Sequence, residues 1–151
     1  MDGNGNLVFD NIPQALYHLV VRMRREIWGF LANGQQNVVR SWMEDEKLTQ
    51  SEQAKLDFAL NRLKNLDFQL LSQKFMAGPL RGTKIYKLRL SCSDRQLRPM
   101  LCRGPVQNPL DYTLLHGAEE VGDRLHPGDA AERADRNRRT LIDNPRWREL
   151  F

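Results

Sequence analysis

The stretch "KIYKLRLSCSDRQLRPMLCR", residues 84–103, alternates apolar and polar side chains and then turns back on itself. Alternation of this kind is the mark of a half-buried strand. It places Tyr86, Leu88 and Leu90 on one face, and Ile85, Lys87 and Arg89 on the other. The first face reads as core, and the second sets two long cations side by side, about 7 Å apart. Ser93–Gln96 supplies a hairpin turn, so Lys84–Cys92 and Leu97–Arg103 are expected as paired strands. A loop with two prolines, Gly104–Pro109, leads to a third strand at Tyr112–His116. Short connections of this sort favour an antiparallel meander.

Upstream, Thr49-Gln50-Ser51-Glu52 has the pattern of a capping box, with Thr49 as N-cap. The helix it opens carries Leu56, Phe58, Ala59, Leu60, Leu63 and Leu66, an apolar stripe read as core. Before it, Gln36–Glu46 places Val38, Val39, Trp42 and Met43 at helical spacing. The two form an αα-hairpin. Arg25–Ala32 is aromatic-rich and meets the turn pair Asn33-Gly34, so it reads as a strand, with a helix continuing from the preceding segment as its rival. Phe9–Val21, with Asp10 or Asn11 as N-cap and Pro13 in the first turn, reads as a short helix ahead of the main fold. Pro127–Ile142, rich in Ala, Glu and Arg, reads as a polar, mostly exposed helix. A strand, a helix pair and a meander make an α+β domain.

At 151 residues, 40% apolar and 28% charged, the chain is long enough for a real core and is not composed like a disordered one. No apolar run nears the ~20 residues needed to span a bilayer, and the opening Met1–Asn6 lacks signal-peptide character. A soluble, cytoplasmic protein is expected. Cys92 and Cys102 read as two reduced thiols, pairing only if their strands are neighbours, and without a CxxC spacing they make no zinc site.

Net charge is +4, but it is unevenly spread. Residues 1–60 carry −2, residues 61–110 carry +8 and residues 111–151 carry −2. A localised basic field favours a polyanionic partner, with nucleic acid the commonest. His116, Glu119, Glu120, Asp123 and His126 fall within eleven residues. They read as a solvated acidic turn rather than a metal site, and no cofactor is expected.

The order of these pieces resembles the RelE/ParE superfamily of bacterial toxins, closest to its HigB-like and phage-derived branch. The resemblance is carried by "VVRSWMEDE", "LDFALNRLKNL", "LRGTKIYKLRL", "QLRPMLCRG" and "YTLLHG", and covers roughly residues 25–139. It implies a toxin domain over 25–151 behind a 1–24 helical extension. The implied fold is RelE-like, of microbial ribonuclease type, with the helix pair on a twisted antiparallel sheet. It further implies a type II toxin that cuts mRNA on the ribosome without metal and is held inactive by a cognate antitoxin. The alternatives are binding of RNA, ribosome or gyrase without cleavage, and a phage-derived scaffold. Lys87, Arg89 and Arg98 match the family's catalytic basic positions. Lys84, Arg103, Arg124 and His126 are assigned to RNA binding. Cleaving RNA without metal requires a proton acceptor, phosphoryl charge stabilisation and a proton donor. Where the family carries paired lysines after "LLHG", this chain has Ala118-Glu119-Glu120, whose carboxylates would repel a phosphate they faced.

Overall fold

The computed structural model describes Pro13 and residues 25–151. The expected helix Phe9–Val21 and the rest of the 1–24 extension lie outside the described residues. Ile27–Ala32 forms β1, which ends in a turn where Asn33 and Gly34 adopt φ of 56° and 72°. These left-handed values suit the Asn-Gly pair. After β2 (Gln36–Asn37) come α1 (Val38–Asp45) and α2 (Gln50–Asn65). The chain continues through β3 (Met76–Ala77), β4 (Tyr86–Leu88), β5 (Leu90–Ser91), β6 (Gln96–Arg103) and β7 (Tyr112–Val121). It closes with β8 (Arg124–His126), α3 (Ala130–Asp143) and β9 (Arg148–Leu150).

These elements build an α+β fold on one sheet, ordered β2-β1-β7-β6-β4-β3, with β5 on β6, β8 on β7 and β9 on β1. The meander is antiparallel as expected. The sheet as a whole is mixed, however, because β1 pairs parallel with β7 from Ile27↔Tyr112 to Gly29↔Leu114. The reason is topological. Antiparallel β4–β6 and β6–β7 steps leave β4 and β7 running the same way, and the helix pair with β3 returns the chain so that β1 shares that direction.

The expected strand 84–92 is split. Pairings Lys87↔Met100 and Leu90↔Leu97 belong to one continuous register, which sets Leu88 opposite Pro99 and Arg89 opposite Arg98 across the break. Pro99 has no N–H for the ladder, which accounts for the interruption.

The sheet has two cores. On one face Leu88, Leu90, Leu97, Leu101, Tyr112 and Leu114 pack with Val39, Trp42, Leu56, Leu60 and Leu63 of the helix pair. On the other face Phe30, Ile85, Met100, Cys102, Leu115 and Ala118 pack with Ala130, Ala134 and Leu141 of α3. The C-terminal helix is therefore not a mostly exposed appendage. It seals the second face, using a narrow stripe of two alanines and one leucine. A second correction concerns α2: Phe58, expected in its core stripe, is 67% exposed. At 100° per residue Phe58 lies 200° from Leu56 around the helix, on the far side.

Local anchors fix the helix hairpin to the sheet. Thr49 Oγ1 accepts from the Glu52 N–H at 3.1 Å, and Glu52 Oε1 accepts from the Thr49 N–H at 2.9 Å, completing the capping box. Arg95, in the turn between β5 and β6, donates from Nε to Glu52 Oε2 at 2.9 Å and from Nη1 to Glu46 Oε2 at 3.1 Å. The Arg95 guanidinium and the Thr49 N–H hold the Glu52 carboxyl down at about 2, against an ordinary 4.5. A carboxylate with a depressed folded pKa contributes stability above its unfolded value, and that stability is lost as pH falls through the folded one. Urea-unfolding free energy should accordingly drop by ~1–2 kcal/mol between about pH 4.5 and pH 2, and Glu52→Gln should remove that part of the slope. A Glu52→Gln variant with an unaltered acid limb would show that this clamp does not set acid stability.

Candidate nucleic-acid interface

A bulge decides what faces what at the centre of the sheet. The β6–β7 register shifts between Met100 and Leu101, leaving Leu115 as the extra residue. Beyond it the pairs are Met100↔His116, Arg98↔Ala118 and Gln96↔Glu120. A bulge re-aims the side chains that follow it. Here it brings Glu120 alongside Arg98, on the α3 face.

Lys87 Nζ lies 2.8 Å from Glu120 Oε1, and Arg98 Nη2 lies 3.3 Å from Glu120 Oε2. Two of the three expected catalytic cations thus converge on one carboxylate. Arg98 is buried, donates from Nη1 to the carbonyl of the preceding Leu97 at 3.0 Å, and has a buried Nε without a partner among the described residues. The Lys87 ammonium, followed by the Arg98 guanidinium, holds the Glu120 carboxyl below its ordinary value despite burial. The sequence reading set Glu120 against the cations as a source of phosphate repulsion. Its position makes it their counterion, which corrects the expectation that it stands against a phosphate.

The third cation does not share that carboxylate. Arg89 is exposed and makes no ion pair among the described residues. It borders a groove of about 410 Å³ between α2 and the β5 end of the sheet. Lys55, Phe58, Arg62 and Phe75 line the same groove, and the Arg62 guanidinium stands 4.6 Å over the Phe75 ring. Lys55 Nζ also donates to the Ser91 carbonyl across it. The sequence places Phe58 in the apolar stripe of α2 and gives Lys55 and Arg62 no separate signal. The helical angle of Phe58 was the signal that separated it.

The expected RNA-binding residues are spread out. Lys84 is exposed ahead of β4. Arg103, exposed at the end of β6, lies 4.2 Å over the Phe68 ring. Arg124 and His126 are exposed on β8, opposite Val121 and Glu119. Of the ten cations between Asn61 and Leu110, Lys87, Arg95 and Arg98 are ion-paired. The other seven, Arg62, Lys64, Lys74, Arg81, Lys84, Arg89 and Arg103, make no ion pair among the described residues. The basic excess is neutralised at Lys87 and Arg98 in the sheet and at Arg95 in the β5–β6 turn, and kept elsewhere.

Among the described residues no cluster of three His, Cys, Asp or Glu side chains is placed to hold a metal, and no helix is long and apolar enough to cross a membrane. Both cysteines are free, and burial pushes the Cys102 thiol up to about 12. No family model, no curated protein and no solved structure matches the chain.

Proposed function

We propose that the chain is a toxin of the RelE/ParE kind, from a type II toxin–antitoxin system, acting in the cytoplasm on mRNA at the ribosome, and that it grips RNA through the groove beside α2. The observation that carries the RNA contact is the coexistence of exposed Phe58 with Lys55 and Arg62 along one groove that the exposed Arg89 borders, Arg62 and Arg89 making no ion pair among the described residues. Cations tracking a phosphate backbone beside an aromatic platform are what single-stranded nucleic acid binds. The toxin assignment rests on the element order of strand, helix pair and meander, together with the motifs that resemble the family.

A second reading, metal-free cleavage of the message by Lys87, Arg89 and Arg98, is favoured by the meeting of Lys87 and Arg98 at one point. Against it stands Glu120, which occupies both of them. Binding without cutting by these three is the reading the geometry supports better.

Binding of a fluorescent single-stranded RNA, measured across a salt series, tests the proposal. Arg62→Ala/Arg89→Ala should weaken binding by about tenfold and lower the salt slope by about 1.4, because two fewer counterions are released. Phe58→Ala should cost ~1 kcal/mol or more with the slope unchanged, since stacking releases no counterion. If neither variant differs from the parent, the groove is not the RNA contact. Primer extension on translating ribosomes separates the two readings: cuts that vanish in Lys87→Ala would move the conclusion to cleavage.

A further inference from the structure

On the opposite face of the sheet, β7 and α3 enclose an open cleft of about 450 Å³ lined by Val38, His116, Asp129, Arg133, Arg136 and Asn137. Its back is fixed: Asn137 Nδ2 donates to the Leu115 carbonyl at 2.9 Å, tying α3 to the bulge. Arg133 and Arg136 are three apart on α3 and therefore share a side of the helix. Arg133 Nε is held by Asp129 at 2.9 Å, whereas Arg136 makes no ion pair among the described residues.

Across from them stands His116. Its Nδ1 is buried without a hydrogen-bond partner among the described residues, and the residue lines the cleft. Asp129 cancels one guanidinium, so with a neutral imidazole the cleft keeps a single net positive charge and a free guanidinium fork. Guanidinium forks match phosphate oxygens in pairs.

We propose that this cleft binds a phosphate monoester, held by Arg136 and Arg133 and by the His116 ring. Burial pushes the His116 imidazole below its ordinary value, and Arg133 and Arg136 add to this, while the Gly117 backbone and Asp129 act against it. On the sheet side its cross-strand neighbour is the uncharged Met100, beyond which Lys87 is occupied by Glu120. An arriving dianion reverses the balance at the ring, so His116 gains a proton from the buffer as the site fills. The site is independent of the α2 groove and stands whether or not that groove holds RNA. Free phosphate and the terminal phosphate of an RNA chain present the same chemistry to it.

Titration of the full chain with inorganic phosphate, followed on the His116 ring signals by NMR, distinguishes the outcomes. A parallel titration uses an RNA trinucleotide with and without a 5′-phosphate. The expected result is a saturable shift with phosphate and with the phosphorylated trinucleotide, tighter for whichever is the physiological source. Arg136→Ala should weaken it about tenfold or more, the loss expected for one charge-assisted contact. Arg139→Ala, which removes a charge from the same helix outside the cleft, should leave it within about twofold. Calorimetry in buffers of different ionisation enthalpy should show proton uptake that disappears in His116→Gln. Absence of saturation, or equal weakening by Arg136→Ala and Arg139→Ala, would overturn the site in favour of a diffuse charge effect.

Discussion

Glu120→Gln is expected to lower unfolding free energy by about 3 kcal/mol, the cost of stranding buried cations whose counterion has been removed. The Arg98 side chain is only 7% exposed and that of Lys87 15%, so neither recovers full hydration when the carboxylate goes. An amide oxygen in place of the second carboxylate oxygen retains one acceptor but no charge, leaving two like charges on neighbouring strands. The variant also decides what the cations are for. If Lys87 and Arg98 are latent phosphate ligands, freeing them should raise RNA affinity, or bring cleavage where none was seen, even as the melting temperature falls. If they are purely structural, stability falls and RNA binding does not rise. Arg98→Ala should likewise reduce stability, because it removes one of the two cations that pair the half-buried Glu120 carboxylate. Unchanged chemical denaturation of Glu120→Gln would show that the pair contributes nothing net to folding.

What the sequence disclosed follows the range over which each signal acts. The Thr49–Glu52 capping box, the Asn33-Gly34 turn and the meander are written in neighbouring residues, and each is in place. The short strands β2, β3, β8 and β9 exist only because a longer neighbour offers them an edge, so no local periodicity announces them. The packing of α3 rests on Ala130, Ala134 and Leu141, whose small apolar area is outweighed in any sequence reading by the arginines beside them. The role of Glu120 was out of reach for a different reason. Its proximity to Arg98 depends on the extra residue at Leu115, a register choice made by two strands together. The convergence of Lys87 with Arg98 was legible; which carboxylate neutralises it was not, because that choice belongs to the β6–β7 register.

Gly117→Ala is expected to be at least as damaging as loss of Glu120, through a different mechanism. On β7, Gly117 faces the helix pair, and a Cβ built on it would stand 2.0 Å from Trp42 Cδ2, with two further indole carbons at 2.4 Å. No contact that short survives, and the obstacle is a rigid ring, not the end of a flexible side chain. Trp42 is itself among the buried residues of the first core, wedged in α1 beside Val39. Making room means displacing the helix pair or moving the indole to a poorer rotamer, and over-packing of this kind costs ~3 kcal/mol in a close-packed interior. Against a typical domain stability of ~5–15 kcal/mol, one methyl group would leave the fold marginal. The mechanism makes a specific claim about coupling. Trp42→Leu alone should destabilise by leaving a cavity, but in its presence Gly117→Ala should cost far less, because the atoms that clash are gone. Urea denaturation of the four proteins in this cycle gives the coupling energy directly. Additive effects would mean that Gly117 is required for some property of the strand other than the close approach of Trp42.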